Sequence, residues 1–195
     1  KTLGAGILLL QETHLMGTKL PFLARYRYTQ IYHAGFTRGS QGVAVLVHRE
    51  VPLVVTLVTQ DKLGRYILVS GCMGGRLYTF CSVYAPPPLS SSFLETMCSA
   101  MSNVQAGLLI IGVDWNATMN PILDRKHTGE GGMEGRPRLD SFTRAMGLVD
   151  VWRTFHPDES QYTFYSGAHD SFSRLDYFLV PQAYMADILD SSILA

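Results

Sequence analysis

The sequence predicts an α/β domain in which two β-sheets pack face to face with helices outside them. Short apolar or alternating phrases crowd the first half of the chain, and helical periodicities appear only after Ser90. Apolar residues make up 47% of the 195 residues, enough to bury one sizeable core, and one domain is the natural count at this length. Charged residues are 16%, a balance that excludes a disordered chain.

Gly6 to Gln11 reads as a fully buried strand. With the residues before it, it imitates a signal peptide, but the basic start is short and Gln11 and Glu12 end the apolar run early. Tyr26 to His33 alternates aromatic and polar residues as a strand does. Val43 to Val47 and Val51 to Thr59 flank a turn at His48 to Glu50. The second of these is too short to span a membrane and is broken by Pro52 and Thr56. Arg65 to Met73 and Leu77 to Tyr84 form a hairpin around Gly74-Gly75, a two-residue turn signal. Pro86 to Pro88 breaks the sheet. Ser90 to Gln105 reads as a helix with Phe93, Leu94, Met97 and Met101 on one face and three serines competing for its cap. Leu108 to Ile111 is a further buried strand, and His127 to Arg138, rich in Gly and charge, a loop. Pro137 to Met146 is a helix with Pro in its first turn and Gly147 at its end. Val149 to Phe155, Tyr162 to Tyr165 and Leu175 to Val180 are short strands or turns.

Cys72, Cys81 and Cys98 form no CxxC, and an odd scattered set fits free thiols in a reducing, intracellular compartment. Formal net charge is zero. That argues against a strong non-specific grip on nucleic acid, but a local basic lip and a metal suffice for chemistry on it.

Four phrases place polar groups where a strand does not need them. In LLLQETH, Glu12 follows an apolar strand directly, where a carboxylate can hold a hard cation; a solvated loop Glu is the ordinary alternative. In VYAP, Tyr84 precedes a Pro-rich break and can aim its hydroxyl into a cleft, or simply pack. In IIGVDWN, Asp114 and Asn116 alternate to one side of an extended segment, so a carboxylate and an amide can orient a water and a phosphate; an Asx turn is the alternative. In SRLDYFLV, Arg174 and Asp176 share one face, either as a structural ion pair or as a substrate-contacting Arg beside an acid that orients a histidine.

In that order, QETH, YAP, GxDWN and SRLDY resemble the endonuclease/exonuclease/phosphatase superfamily. LLLQETHL, DWNATMNPILDR, GLVDVWRTFHP, YTFYS and SRLDYFLV narrow the resemblance to the endonuclease domain of non-LTR retrotransposons of the long interspersed element type. It runs from Leu8 to about Val180. The resemblance implies a deoxyribonuclease I-like four-layer α/β/β/α sandwich of two mixed β-sheets flanked by helices. It implies Mg2+, or Mn2+, held by Glu12 and a Tyr84 hydroxyl on the scissile phosphate. Asp114 and Asn116 would position the attacking water and the phosphate, Thr163 of YTF would touch the DNA backbone, and Asp176 would brace a catalytic histidine. The implied partners are DNA, element RNA and a reverse transcriptase domain of the same polyprotein. Nuclear action as a monomer on chromosomal DNA follows from the same resemblance.

Two departures stand out. Val113 occupies the place of a family Gly before Asp114. The family's first strand, with its Asn, and its final Ser-Asp-His phrase are not found, so a single domain over 1–195, incomplete at both ends and weakly active or inactive, is expected. All six histidines precede Asp176, and His169 in GAHDS is the nearest substitute. A phosphatase of the same superfamily acting on inositol lipids or small phosphates, and a DNA-binding remnant without catalysis, are the competing readings.

Overall fold

The computed structural model describes residues 4–14, 27–35, 41–104, 107–126 and 136–194. Most of the expected loop over His127 to Arg138 lies outside the described residues. The chain divides into two compact units, Lys1–Tyr84 with Ser99–Val113, and Ala85–Cys98 with Asp114–Ala195.

The first unit is two packed sheets. Strands β1 (Ile7–Leu10), β2 (Tyr28–Ala34) and β3 (Val43–His48) form an antiparallel sheet in the order β1-β3-β2. Strands β4 (Val54–Gln60), β5 (Tyr66–Met73), β6 (Arg76–Tyr84) and β7 (Leu108–Asp114) run in the order β4-β5-β6-β7. Alternation along β3, β5 and β6 sends Val43, Val45, Val47, Ile67, Val69 and Phe80 into one buried cluster between the sheets. The β5–β6 turn is made by Gly74 and Gly75, at φ 58° and 77°, a conformation that only Gly adopts without strain at both positions.

Strand β1 is half-buried rather than fully buried. Among the described residues it pairs with β3 alone; Ile7 and Leu9 pack on the cluster between the sheets and Leu8 and Leu10 on Ala44 and Leu46, so both faces are covered in part. Strand β4 is more exposed still, as expected of an edge strand; Pro52 lies outside it and its pairing shifts between Val55 and Leu57. Val113 is the penultimate residue of β7 and is buried, a setting that favours a β-branched side chain, so the missing Gly costs this strand little.

Helix α1 (Ser91–Val104) buries the expected face, Phe93, Leu94, Met97 and Met101. Ser90 wins the cap: its Oγ accepts from Phe93 N at 3.1 Å. In the second unit β8 (Arg125–Lys126), β10 (Phe164–Ser166) and β11 (Ser171–Ser173) form a sheet ordered β10-β11-β8, while β9 (Leu148–Asp150) pairs with β12 (Asp176–Pro181). Helix α2 (Arg136–Ala145) buries Leu139 and Phe142, whose ring meets Trp115 edge-on at 5.5 Å. The expected strand or turn over Val149 to Phe155 is β9 followed by helix α3 (Val151–Phe155). Asp150 starts that helix by accepting from Arg153 N at 3.1 Å, a signal carried by one capping residue and invisible to periodicity over five positions. A 3-10 turn over Gln182–Asp187 follows β12.

Candidate active site

In the first unit β1 ends on an anchored bend. Gln11 Nε2 donates to Ser82 Oγ and to Gly112 O, both at 3.0 Å, and Ser82 Oγ donates to Leu10 O at 2.8 Å. One amide thus ties the end of β1 to β6 and β7. Glu12 follows at φ 48°, a left-handed conformation rare for a residue with a Cβ, and its side chain is exposed. The bend is held by backbone bonds from Thr13 N to Gly42 O and His14 N to Gln41 O, each 3.0 Å. Gly42 is required there: its φ is 108°, and a Cβ would meet Thr13 Oγ1 at 2.7 Å. Tyr84 closes β6 with only 8% of its surface exposed and its ring in the core cluster, so packing accounts for the ring.

In the second unit Asp114 and Asn116 do meet, though not by simple alternation. Asn116 turns to φ 49° and its N–H donates to Asp114 Oδ1 at 2.8 Å, the Asx-turn arrangement. The Asn116 amide donates to Ala85 O at 3.1 Å and lies 3.4 Å from Asp114 Oδ2. Ala85 N donates to Asp114 O at 2.9 Å, so the residue of YAP after Tyr84 is stitched to the DWN bend by both backbone and side chain. Trp115, fully buried between the two polar residues, donates its backbone N–H to Leu175 O at 3.0 Å.

That last bond brings the start of β12 to the bend. Thr163 Oγ1 accepts from Leu175 N at 3.0 Å and Asp176 N at 3.3 Å. With both lone pairs engaged, its exposed hydroxyl has its proton left to donate. Asp176 is exposed as well. The structure therefore groups Asp114, Asn116, Thr163 and Asp176 around one bend. Glu12 and Tyr84 belong to the first unit.

Arg174, expected on substrate, is 1% exposed, and its guanidinium is engaged inside the second unit. Its Nη2 donates to Asp150 Oδ2 at 2.6 Å and its Nε to Asp124 Oδ1 at 3.0 Å. The ion pair foreseen with Asp176 is made with these two carboxylates instead. Residues of a strand share a face with their alternate neighbours, but which carboxylate reaches the guanidinium depends on segments distant in sequence. Arg174 is buried against two carboxylates and serves the fold there.

Sequence reasoning missed the centre of this network. Asp124 is fully buried and also accepts from Arg153 Nη2 at 2.7 Å, Asn120 N at 2.8 Å and Tyr177 Oη at 3.1 Å. Arg174 lies over the rings of Trp152 and Tyr177, at 4.9 and 4.4 Å. Burial alone would lower the Arg174 pKa, but its bond to Asp150 and the charges of Asp150 and Asp124 raise it. Burial, then the Asp124 charge, pushes the Tyr177 hydroxyl up, so it stays protonated as a donor. The available signal was a charge set among apolar neighbours in each of ILDR, LVDVWR and SRLDY.

Among the described residues no group of three His, Cys, Asp or Glu is placed to cage a metal. The exposed Glu12 carboxylate fits another kind of site, since Mg2+ is commonly held by one or two carboxylates together with waters and substrate phosphate.

A model of the Endonuclease/Exonuclease/phosphatase family matches residues 1–186. A Transposon TX1 uncharacterized 149 kDa protein of Xenopus laevis is 28% identical over 202 aligned residues, covering 97% of this chain but only 15% of its own length. AP endonuclease LMAP from Leishmania major superposes with a TM-score of 0.76 at 18% identity, over 95% of this chain and 72% of that one. The endonuclease domain of TRAS1, a telomere-specific non-LTR retrotransposon, gives 0.67 at 22% identity, over 96% and 77%. At those identities the two structures attest the fold, a mixed α/β arrangement with two packed sheets.

Proposed function

The chain belongs to the endonuclease/exonuclease/phosphatase family, and from that premise we propose that it is a metal-dependent phosphodiesterase, the DNA-nicking endonuclease domain of a non-LTR retrotransposon polyprotein. The observation that carries the chemistry is the bend at Asp114 and Asn116, where a carboxylate and an amide are fixed by backbone bonds beside an exposed Asp176 and Thr163. The retrotransposon assignment draws on the similarity to the TX1 protein and on the phrases LLLQETHL and GLVDVWRTFHP. That relative is much longer than the chain, which supports a multidomain parent; a reverse transcriptase elsewhere in it and element RNA as a further partner are part of the same proposal. Nuclear action on chromosomal DNA as a monomer belongs to the same proposal.

Glu12 would hold Mg2+, or Mn2+ in its place. When bound, the ion supplies neutralisation of charge on the phosphate and on the leaving 3′ oxygen. Asp114 accepts a hydrogen bond from the attacking water and orients it in line. Asn116 has the longer of its two amide contacts, the one at 3.4 Å to Asp114, to give up to a phosphate oxygen. The Tyr84 hydroxyl donates to the scissile phosphate. Thr163, already accepting two backbone N–H groups, donates to a neighbouring phosphate and sets the register of the strand. Asp176 would brace a catalytic histidine, as the family resemblance implies.

The test is nicking of supercoiled plasmid by the polypeptide that contains residues 1–195, with and without Mg2+. Metal-dependent nicking lost in Asp114→Asn and Glu12→Ala is the expected result. Hydrolysis of inositol phosphates with no action on DNA would replace the reading with a phosphatase, and DNA binding without cleavage would leave a binding domain.

A further inference from the structure

His156 closes α3, and its ring lies on Trp152 with centroids 4.9 Å apart and planes inclined by 23°. Nδ1 faces Glu159 Oε1 at 2.9 Å, and Nε2 faces Ser191 O at 2.9 Å. A carboxylate and a carbonyl oxygen only accept, and a neutral imidazole has one N–H to give. Both contacts are satisfied together only when both ring nitrogens carry protons. We propose that His156 is a proton-operated latch that, as imidazolium, ties the segment after the 3-10 turn to the end of α3 and releases it when neutral.

Which contact yields follows from the acceptors. The Glu159 carboxylate is the stronger, so the remaining proton stays on Nδ1 and the Nε2 lone pair is left facing the Ser191 carbonyl. That repulsion loosens a segment, residues 188–194, with no regular structure and with Leu189 94% exposed. The charged groups around the ring favour the closed state. Glu159 lies on the loop after α3 and Asp190 on the segment after the 3-10 turn. Arg153, the cation on α3 itself, spends its guanidinium on Asp124 and on the carbonyls of His156, Pro157 and Glu159.

The bonds to Glu159 and Ser191, with the charges of Glu159 and Asp190, raise the His156 pKa above the usual histidine value of 6.5, against a smaller opposing effect of burial. The tie is therefore complete below that value and is lost as pH climbs through the raised midpoint. The latch stands on this geometry alone and does not depend on the nuclease reading.

Two measurements on the whole chain test it: the ring-proton titration of His156 by NMR, and amide-exchange protection of residues 188–194 across the same pH range. The expected result is a His156 midpoint above 6.5 and a loss of tail protection with that same midpoint. Glu159→Gln, a change at a side chain 56% exposed, should move both midpoints down together, and Asp190→Asn should move them less. A midpoint at or below the ordinary value, or tail protection that stays flat while His156 titrates, overturns the latch. So does a Glu159→Gln variant in which the two midpoints separate.

Discussion

At the end of β1, Glu12 holds a left-handed backbone and an exposed carboxylate, steadied from outside by Gln11 and by the backbone bonds of Thr13 and His14. Around Asp124 the opposite holds. The carboxylate is fully buried and accepts from two arginines and a tyrosine, and none of Asp124, Arg153, Arg174 and Tyr177 has a positive φ. One region places a charge where a ligand can reach it, and its neighbours hold it there. The other spends its charges on each other to bind three distant phrases together. A polar residue after an apolar strand is informative about function when it is exposed and strained, and about folding when it is buried and paired.

Of substitutions in the two regions, Asp124→Ala has the largest expected effect. It strands two buried or half-buried guanidinium groups, and loss of about 3–5 kcal/mol in urea-induced unfolding is expected, as for one partner removed from a buried pair. A loss under about 1 kcal/mol would mean that the network is not what binds these phrases. Tyr177→Phe keeps the ring under Arg174 but removes the hydroxyl that serves Asp124, Arg174 O and Met119 N. A cost of about 1–3 kcal/mol in the same measurement is expected.

At the other region the order of effects reverses. Gln11→Ala removes the clip on β6 and β7 and should cost about 1 kcal/mol of stability. It should lower nicking by more than that loss explains, because Glu12 is no longer held in place. Glu12→Gly relieves the positive φ and should leave stability within about 1 kcal/mol of the parent chain while abolishing metal-dependent nicking. A variant that unfolds, or one that still nicks, would place Glu12 with Asp124 among the residues that only build the fold.

Much of the architecture was legible from local patterns. The β5–β6 hairpin followed from Gly74-Gly75, and α1 from the spacing of Phe93, Leu94, Met97 and Met101, because turn chemistry and periodicity act within a few residues. Helix α3 was not legible, since a five-residue helix started by Asp150 leaves no periodic trace. The two-residue strand β8 escaped for the same reason. At the candidate site the residues were visible, but the way they meet was not. Asp114 and Asn116 were expected either side by side through extended alternation or in an Asx turn, and the Asx turn, with Asn116 left-handed, is what they form. Arg174 was expected to face substrate beside Asp176, and it faces Asp124 and Asp150 across 50 and 24 positions of chain.

The amino-acid sequence alone determined the fold class, most strands and both longer helices, and the resemblance of its polar phrases to one enzyme family. Those properties depend on side-chain period, turn residues and short motifs, all of which are local. Tertiary structure alone decided that Glu12 is strained and exposed, that Gln11 holds it, and that Arg174 is buried within an ionic network centred on Asp124. Each of these depends on which distant segments are brought within about 3 Å of one another, and hydrogen bonds at that range leave no mark on the spacing of residues along the chain.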